Sequence, residues 1–130
     1  MKLIIAGSRT VSPTPEEISN ELRCMEKPEN GIRIDPYEDI TEVVSGTADG
    51  ADAAGEAWAD SCRIPVRRFP AAWAIHGKAA GKLRNREMAE YGDALLAFWD
   101  GMSSGTCDMV TRMVARGKPV RVVPMKAGKK

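Results

Sequence analysis

The chain predicts the α/β class, with βαβ units laid around a parallel sheet, and three observations carry that reading. Short β-branched apolar runs alternate with longer stretches of helical periodicity. The first run, Lys2 to Ala6, is apolar throughout after its lysine, as a strand covered on both faces must be. Glycine-bearing turns then recur at one point in the rhythm, after a strand and before a helix.

Taken in order, Lys2 to Ala6 forms the first strand and Gly7 stops it. A helix follows, because Thr14 is placed to cap it and Pro15 suits a first helical position. Glu16 and Glu17 complement the positive end of its dipole, and Ile18, Leu22 and Met25 recur at helical spacing. This helix should end before Pro28. Glu29 to Asp39 is a polar connection in which Ile32 and Ile34 suggest a short extended piece. Ile40 to Ser45 reads as the second strand, and an alanine-rich helix runs to about Ser61 after the turn from Ser45 to Asp52. Ile64 to Phe69 is the third strand, followed by a loop through Pro70, Trp73 and Gly77 and a helix from about Ala79 to Tyr91. Ala94 to Trp99 is the fourth strand. Asp100 to Thr106 is another glycine-serine turn, the next helix reaches Arg116 and stops at Gly117, and Pro119 to Val123 is the last strand. Trp58 and Trp99, inside regular elements, are read as core.

At 130 residues the chain is one domain, residues 1–124, with 125–130 expected as a basic, disordered tail carrying Lys126, Lys129 and Lys130. Apolar residues at 43% and charged residues at 28% exclude disordered and low-complexity classes. Lys and Arg number 19 against 18 Asp and Glu, so the electrostatic footprint of a duplex-DNA binder is missing. No window approaches the ~18 apolar residues of a membrane span, and the opening apolar run is too short for a signal peptide, so a cytoplasmic protein is expected. Cys24, Cys62 and Cys107 fit neither a disulfide framework nor a zinc knuckle, and His76 is the only histidine. No metal site and no resident cofactor are expected.

In a parallel sheet all strand carboxyl ends lie along one edge. Gly7-Ser8-Arg9, the turn containing Ser45, Gly46, Asp49, Gly50 and Asp52, and the turn containing Gly101, Ser103, Gly105 and Thr106 should therefore converge on one crevice. Small residues let backbone N–H groups approach an anion, and helix N-termini add about half a positive charge each. A phosphate-bearing ligand suits such a place, although neither the dinucleotide GxGxxG nor the triphosphate P-loop pattern is present. Arg9 is placed either to pair with phosphate or to lie exposed in a loop. Asp49 and Asp52 stand where a helix begins, so they read as an N-cap or as contacts to a ribose hydroxyl or a metal-bound water. Arg84, Asn85 and Met88 share a helix; Met88 also fits core packing. Trp73, in the loop after the third strand, reads as a base-stacking ring or a core anchor.

These ordered motifs resemble the SLOG superfamily over almost the whole chain. The residues that carry the likeness are Gly7-Ser8-Arg9, Ser45-Gly46-Thr47-Ala48-Asp49-Gly50-Ala51-Asp52, Trp73 with Gly77, Ala80-Gly81, Arg84-Asn85-x-x-Met88 and Gly101-x-Ser103-x-Gly105-Thr106. The superfamily includes Smf/DprA and the LOG enzymes, and the likeness is closest to its YspA-like, YpsA-related branch of largely unknown function. The resemblance implies a Rossmann-like three-layer sandwich with a mainly parallel five-stranded sheet, whose glycine-rich loops bind a nucleotide or nucleotide-derived ligand. LOG enzymes cleave the N-glycosidic bond of nucleoside 5′-monophosphates with a helical arginine and a glutamate after a PGGxGTxxE turn. Arg84 and Gly105-Thr106 look like their counterparts. Here the glutamate's position is Met109, and Asp108 stands one residue early, about 100° round the helix.

The sequence thus leads first to a module that binds a nucleotide, ADP-ribose-like or monophosphate ligand, as sensor or sequestering protein. The second expectation is a LOG-like phosphoribohydrolase in which Arg84 and Asp108 are catalytic. A third is a nucleic-acid or protein interaction module, for which 5% aromatic residues and near-neutral charge supply little. With no second domain to cover a ligand, the site is either an open crevice or one completed by a second subunit in a homodimer.

Overall fold

The computed structural model describes residues 1–27 and 29–128. Pro28, the expected limit of the first helix, and Lys129 and Lys130 of the expected tail lie outside the described residues. The elements follow the order β1 (Lys2–Gly7), α1 (Pro15–Leu22), β2 (Glu42–Ser45), α2 (Ala51–Ser61), β3 (Val66–Arg68), α3 (Trp73–His76), α4 (Ala80–Tyr91), β4 (Ala94–Trp99), α5 (Ser104–Ala115) and β5 (Val120–Pro124), with a 3-10 turn at Gly77–Ala79 before α4. The five strands form one sheet in the order β3-β2-β1-β4-β5. Every pairing is parallel, as in Leu3 with Val43 and Ile5 with Leu96.

Successive residues of each central strand face opposite layers, so the alternation along β1 sorts the core into two clusters. Leu3 and Ile5 pack with Ile18 and Leu22 of α1, Trp58 of α2, and Leu96 and Phe98. Ile4 and Ala6 pack with Met88 of α4, Met109 and Met113 of α5, and Leu95 and Ala97. Helices therefore cover both faces in a Rossmann-like three-layer sandwich. The chain winds outward from β1 to β3, then crosses back to β4 on the other side of β1, which creates a topological switch between β1 and β4.

Local chemistry explains the element ends. Thr14 Oγ1 accepts from Glu17 N at 3.1 Å while Thr14 N donates to Glu17 Oε1 at 3.0 Å, a reciprocal cap for α1. The α1 helix stops at Leu22, short of the expected limit. Tighter bonds from Cys24 N to Glu21 O and Met25 N to Leu22 O turn the chain into a bridge between Glu26 and Arg33, so Met25 reaches the core from a turn. The extended piece expected near Ile32 and Ile34 is that bridge's return; Ile34 is buried and Ile32 exposed. The third strand is shorter than expected because Pro65 carries no N–H for the ladder. Expected loop residues 73–78 form α3 and most of the 3-10 turn, which takes in Ala79, the expected helix start.

Within α2, Gly55 lets the helix approach the sheet closely: a Cβ there would stand 2.7 Å from Ile5 Cγ2. Trp58 is fully buried and its indole N–H donates to Ser19 Oγ at 2.9 Å. Trp99, expected in the core, is only partly buried and donates to Ser103 O at 3.0 Å. The segment after β5 is tied down rather than loose, through Met125 N to Trp99 O at 2.9 Å and Gly128 N to Thr10 O at 2.6 Å. No helix among the described residues is long and apolar enough to cross a membrane.

Candidate functional site

The switch between β1 and β4 opens into a crevice of about 690 Å³ at the strand carboxyl ends. Of the residues singled out in the sequence, it brings together Gly7, Arg9, Gly46, Asp52, Trp73, Arg84, Asn85, Ser103, Gly105, Thr106 and Asp108. Ser8, Ser45, Asp49, Gly50 and Gly101 do not line it.

Those five have other roles or none. Ser8 is buried, with its N–H on Phe98 O at 2.9 Å and its Oγ accepting from Asp100 N at 3.0 Å, so it binds the β1 turn to the β4 turn. The Ser45 hydroxyl donates to Glu56 Oε2 at 2.7 Å. Gly50, at φ 74°, lies so close to the backbone that a Cβ would meet Ser8 O and Arg9 O at 2.6 Å. Asp49 is exposed. Gly101, at φ 84°, shapes its turn in open space. Neither Asp49 nor Asp52 caps α2, as the sequence suggested: the N-cap is Gly50.

Asp52 instead stands in the first turn of α2, 5% exposed, its Oδ2 accepting from Ala48 N at 3.1 Å. Burial pushes its carboxyl up to about 6, against the opposing pull of the Ala48 amide and Arg84. Gly46 explains how these groups fit, since a Cβ there would stand 2.7 Å from Arg84 Nη1 and 2.8 Å from Asp52 Oδ2. Across this gap Arg84 Nη1 donates to Gly46 O. Burial lowers the Arg84 pKa, and the nearby Asp52 carboxyl partly offsets that.

From Arg84 a polar chain crosses to α5. Arg84 Nε donates to Asn85 Oδ1 at 3.0 Å, and Asn85 Nδ2 donates to Gly105 O at 3.2 Å and Asp108 Oδ2 at 3.0 Å. Arg112 Nε completes the set on Asp108 Oδ2 at 2.9 Å. Despite its register, Asp108 lines the crevice; Met109 is buried in the core and reaches the crevice floor. Met88 likewise serves both core and floor.

On the β4 side, Asp100 clamps two turns together. Thr10 Oγ1 donates to its Oδ2 at 2.6 Å and the Met102 and Ser103 amides donate to Oδ1 at 2.8 and 3.0 Å. These bonds, the Thr10 hydroxyl foremost, hold the Asp100 carboxyl well below the usual carboxylate range. Ser103 caps α5 by accepting from Thr106 N at 3.3 Å. At the mouth, Trp73 is half-exposed with its ring beside Gly81.

Lys78 and Lys82 also line the crevice. Their spacing of four, around Ala80 and Gly81 and just before Arg84, was the available signal, but it fell in a stretch read partly as loop.

The molecule is thus an open α/β protein with a cation-bearing crevice at its topological switch. It is 40% identical over 84 residues to the gene 61 protein of Mycobacterium phage D29, an alignment covering 60% of this chain and 67% of that protein. The chain belongs to the family of that phage protein. No protein-family model and no solved structure matches it.

Proposed function

We propose that the crevice binds a nucleotide or nucleotide-derived ligand, of monophosphate or ADP-ribose type, in a SLOG-like module that senses or sequesters it. The observation that carries this reading is a set of cations without acidic partners. Arg9, Lys78 and Lys82 line the crevice and none is ion-paired among the described residues. Arg84 stands with them, two of its nitrogens fixed on Gly46 and Asn85. The volume of about 690 Å³ falls within the usual range for small-molecule sites, about 300–1,000 Å³. Trp73 offers a ring face for a base.

A cytoplasmic location belongs to this reading, supported by free cysteines of which Cys24 and Cys107 are exposed. So does completion of the site by a second copy, which would cover Trp73 and Met102 at the mouth. A thermal-shift panel of AMP, ADP-ribose, NAD and cyclic nucleotides tests the function. Stabilisation by at least one at millimolar concentration is expected, and none across the panel defeats the reading.

One observation favours a second reading, N-glycosidic hydrolysis of a nucleoside 5′-monophosphate: Asp108 shares the crevice with Arg84. A carboxylate there would stabilise an oxocarbenium-like centre or activate water. Release of free base from AMP or another monophosphate, abolished in Arg84→Ala, is the expected result, and no release from purine or pyrimidine monophosphates removes this reading.

A further inference from the structure

We propose that the crevice takes up its anionic ligand together with a proton, which Asp52 carries. The inference rests on the ligand reading above and gives that site a chemical condition for binding.

The geometry is unusual for a carboxyl group. Asp52 is 5% exposed yet lines the crevice, held by the backbone amides of Ala48 and, more weakly, Gly7, and by no side-chain donor or ion pair among the described residues. Buried carboxylates ordinarily acquire a cationic partner or several donors, because desolvation of an unpaired charge is expensive. Gly46 keeps Arg84 close to it but not paired with it, since Arg84 Nη1 is directed to the Gly46 carbonyl. An anion held by Arg84 would then approach a second negative charge unless Asp52 were neutral. Protonated, Asp52 becomes an O–H donor to the same anion; ionised, it opposes it.

The charged surroundings leave Asp52 to set this condition. On its own helix, Glu56 is engaged by the Ser45 hydroxyl and by Arg68 of β3, and its charge disfavours ionisation of Asp52. From α4 comes Arg84, which favours ionisation, and the loop after β1 contributes Arg9, which acts on Arg84. In α1, Glu17 is bound to its own cap and Glu21 to Arg121. Glu42, the titratable residue of β2, is bonded to Tyr91 at the amino end of the sheet. The proton comes from solvent and resides on an Asp52 oxygen facing the bound anion. Burial places that exchange near pH 6.

The test uses inorganic sulfate, whose charge is constant between pH 5 and 8, with AMP as a second probe. Calorimetry should show sulfate binding about tenfold or more weaker at pH 8 than at pH 5, within the usual span of coupled equilibria, with proton uptake visible as a dependence on buffer ionisation heat. Asp52→Asn, which keeps an acceptor for Ala48 N, should bind sulfate at pH 8 as tightly as the unaltered protein does at pH 5. Its cooperative unfolding verifies that it folds, and the carboxyl ¹³C shift of Asp52 in the unaltered protein should titrate near pH 6. Affinity independent of pH overturns the proposal. So does a dependence that persists in Asp52→Asn and disappears in His76→Gln. Binding of sulfate without proton uptake removes the proton condition and leaves the ligand reading standing, whereas no binding of either probe at any pH removes both.

Discussion

The two faces of the sheet are closed by different physics. Under α1 and α2 the contacts are large apolar side chains, and the polar pair Trp58 and Ser19 is buried with its bond made. Under α4 and α5 the core is smaller and methionine-rich, and above it the helices are joined by the chain from Arg84 through Asn85 to Asp108 and Arg112. Burial of apolar area is insensitive to pH and tolerates no voids, whereas a polar network fixes positions and leaves an opening. The first face supplies stability and the second supplies a shaped gap, so substitutions on the two should differ in kind as well as in size.

The largest expected effect is on the apolar face. Trp58→Ala should cost about 3–5 kcal/mol in denaturant unfolding, while a ligand that stabilises the unaltered protein should still stabilise the variant. A variant that loses its ligand response in proportion would break the separation of roles.

Next comes Asp52→Asn, which should stabilise the fold. Burial raises the Asp52 pKa from 3.8 to about 6, so the folded state binds the proton more tightly than the unfolded chain. Its stabilising contribution is therefore complete below about pH 4, is lost as pH rises to about 6 and is absent above. Unfolding at pH 8 should show the variant more stable by about 2–3 kcal/mol, and at pH 4 nearly equal to the unaltered protein. Equal stabilities at pH 8 would refute this.

Smaller again is Asn85→Ala, which strands Gly105 O and Arg84 Nε and leaves Asp108 to Arg112 alone. It should cost about 1–3 kcal/mol and, unlike Trp58→Ala, should abolish the ligand response at once. The smallest is Thr14→Ala, which removes the α1 cap for about 1 kcal/mol and should leave ligand binding unchanged, a control for stability loss alone.

Legibility in the sequence followed the same division. The strands β1 and β4 were readable because burial on both faces leaves nearly unbroken apolar runs, and the α1 start was readable because capping chemistry is local. Convergence of the glycine turns on one edge follows from parallel topology, so most of the crevice could be placed without coordinates. What failed depended on backbone conformation or tertiary contact. Asp49 and Asp52 have the same chemistry three residues apart, and only the φ of 74° at Gly50 decides that one faces solvent and the other the crevice. Met25 fits a helical stripe but arrives from a turn, because a bridge 26–33 competes for its backbone. Asp108 seemed misdirected by one residue, yet Asn85 and Arg112 hold it in the crevice.

Gly55 has a reach beyond its own contact. It lies three residues along α2 from Asp52, and its missing side chain sets how near the whole helix rides to β1. It acts as a gauge between layers: thickening that spacer, even by one methyl group, would raise the floor on which Asp52 stands. The depth of the crevice is thus tuned from inside the hydrophobic core, by a residue that does not line it.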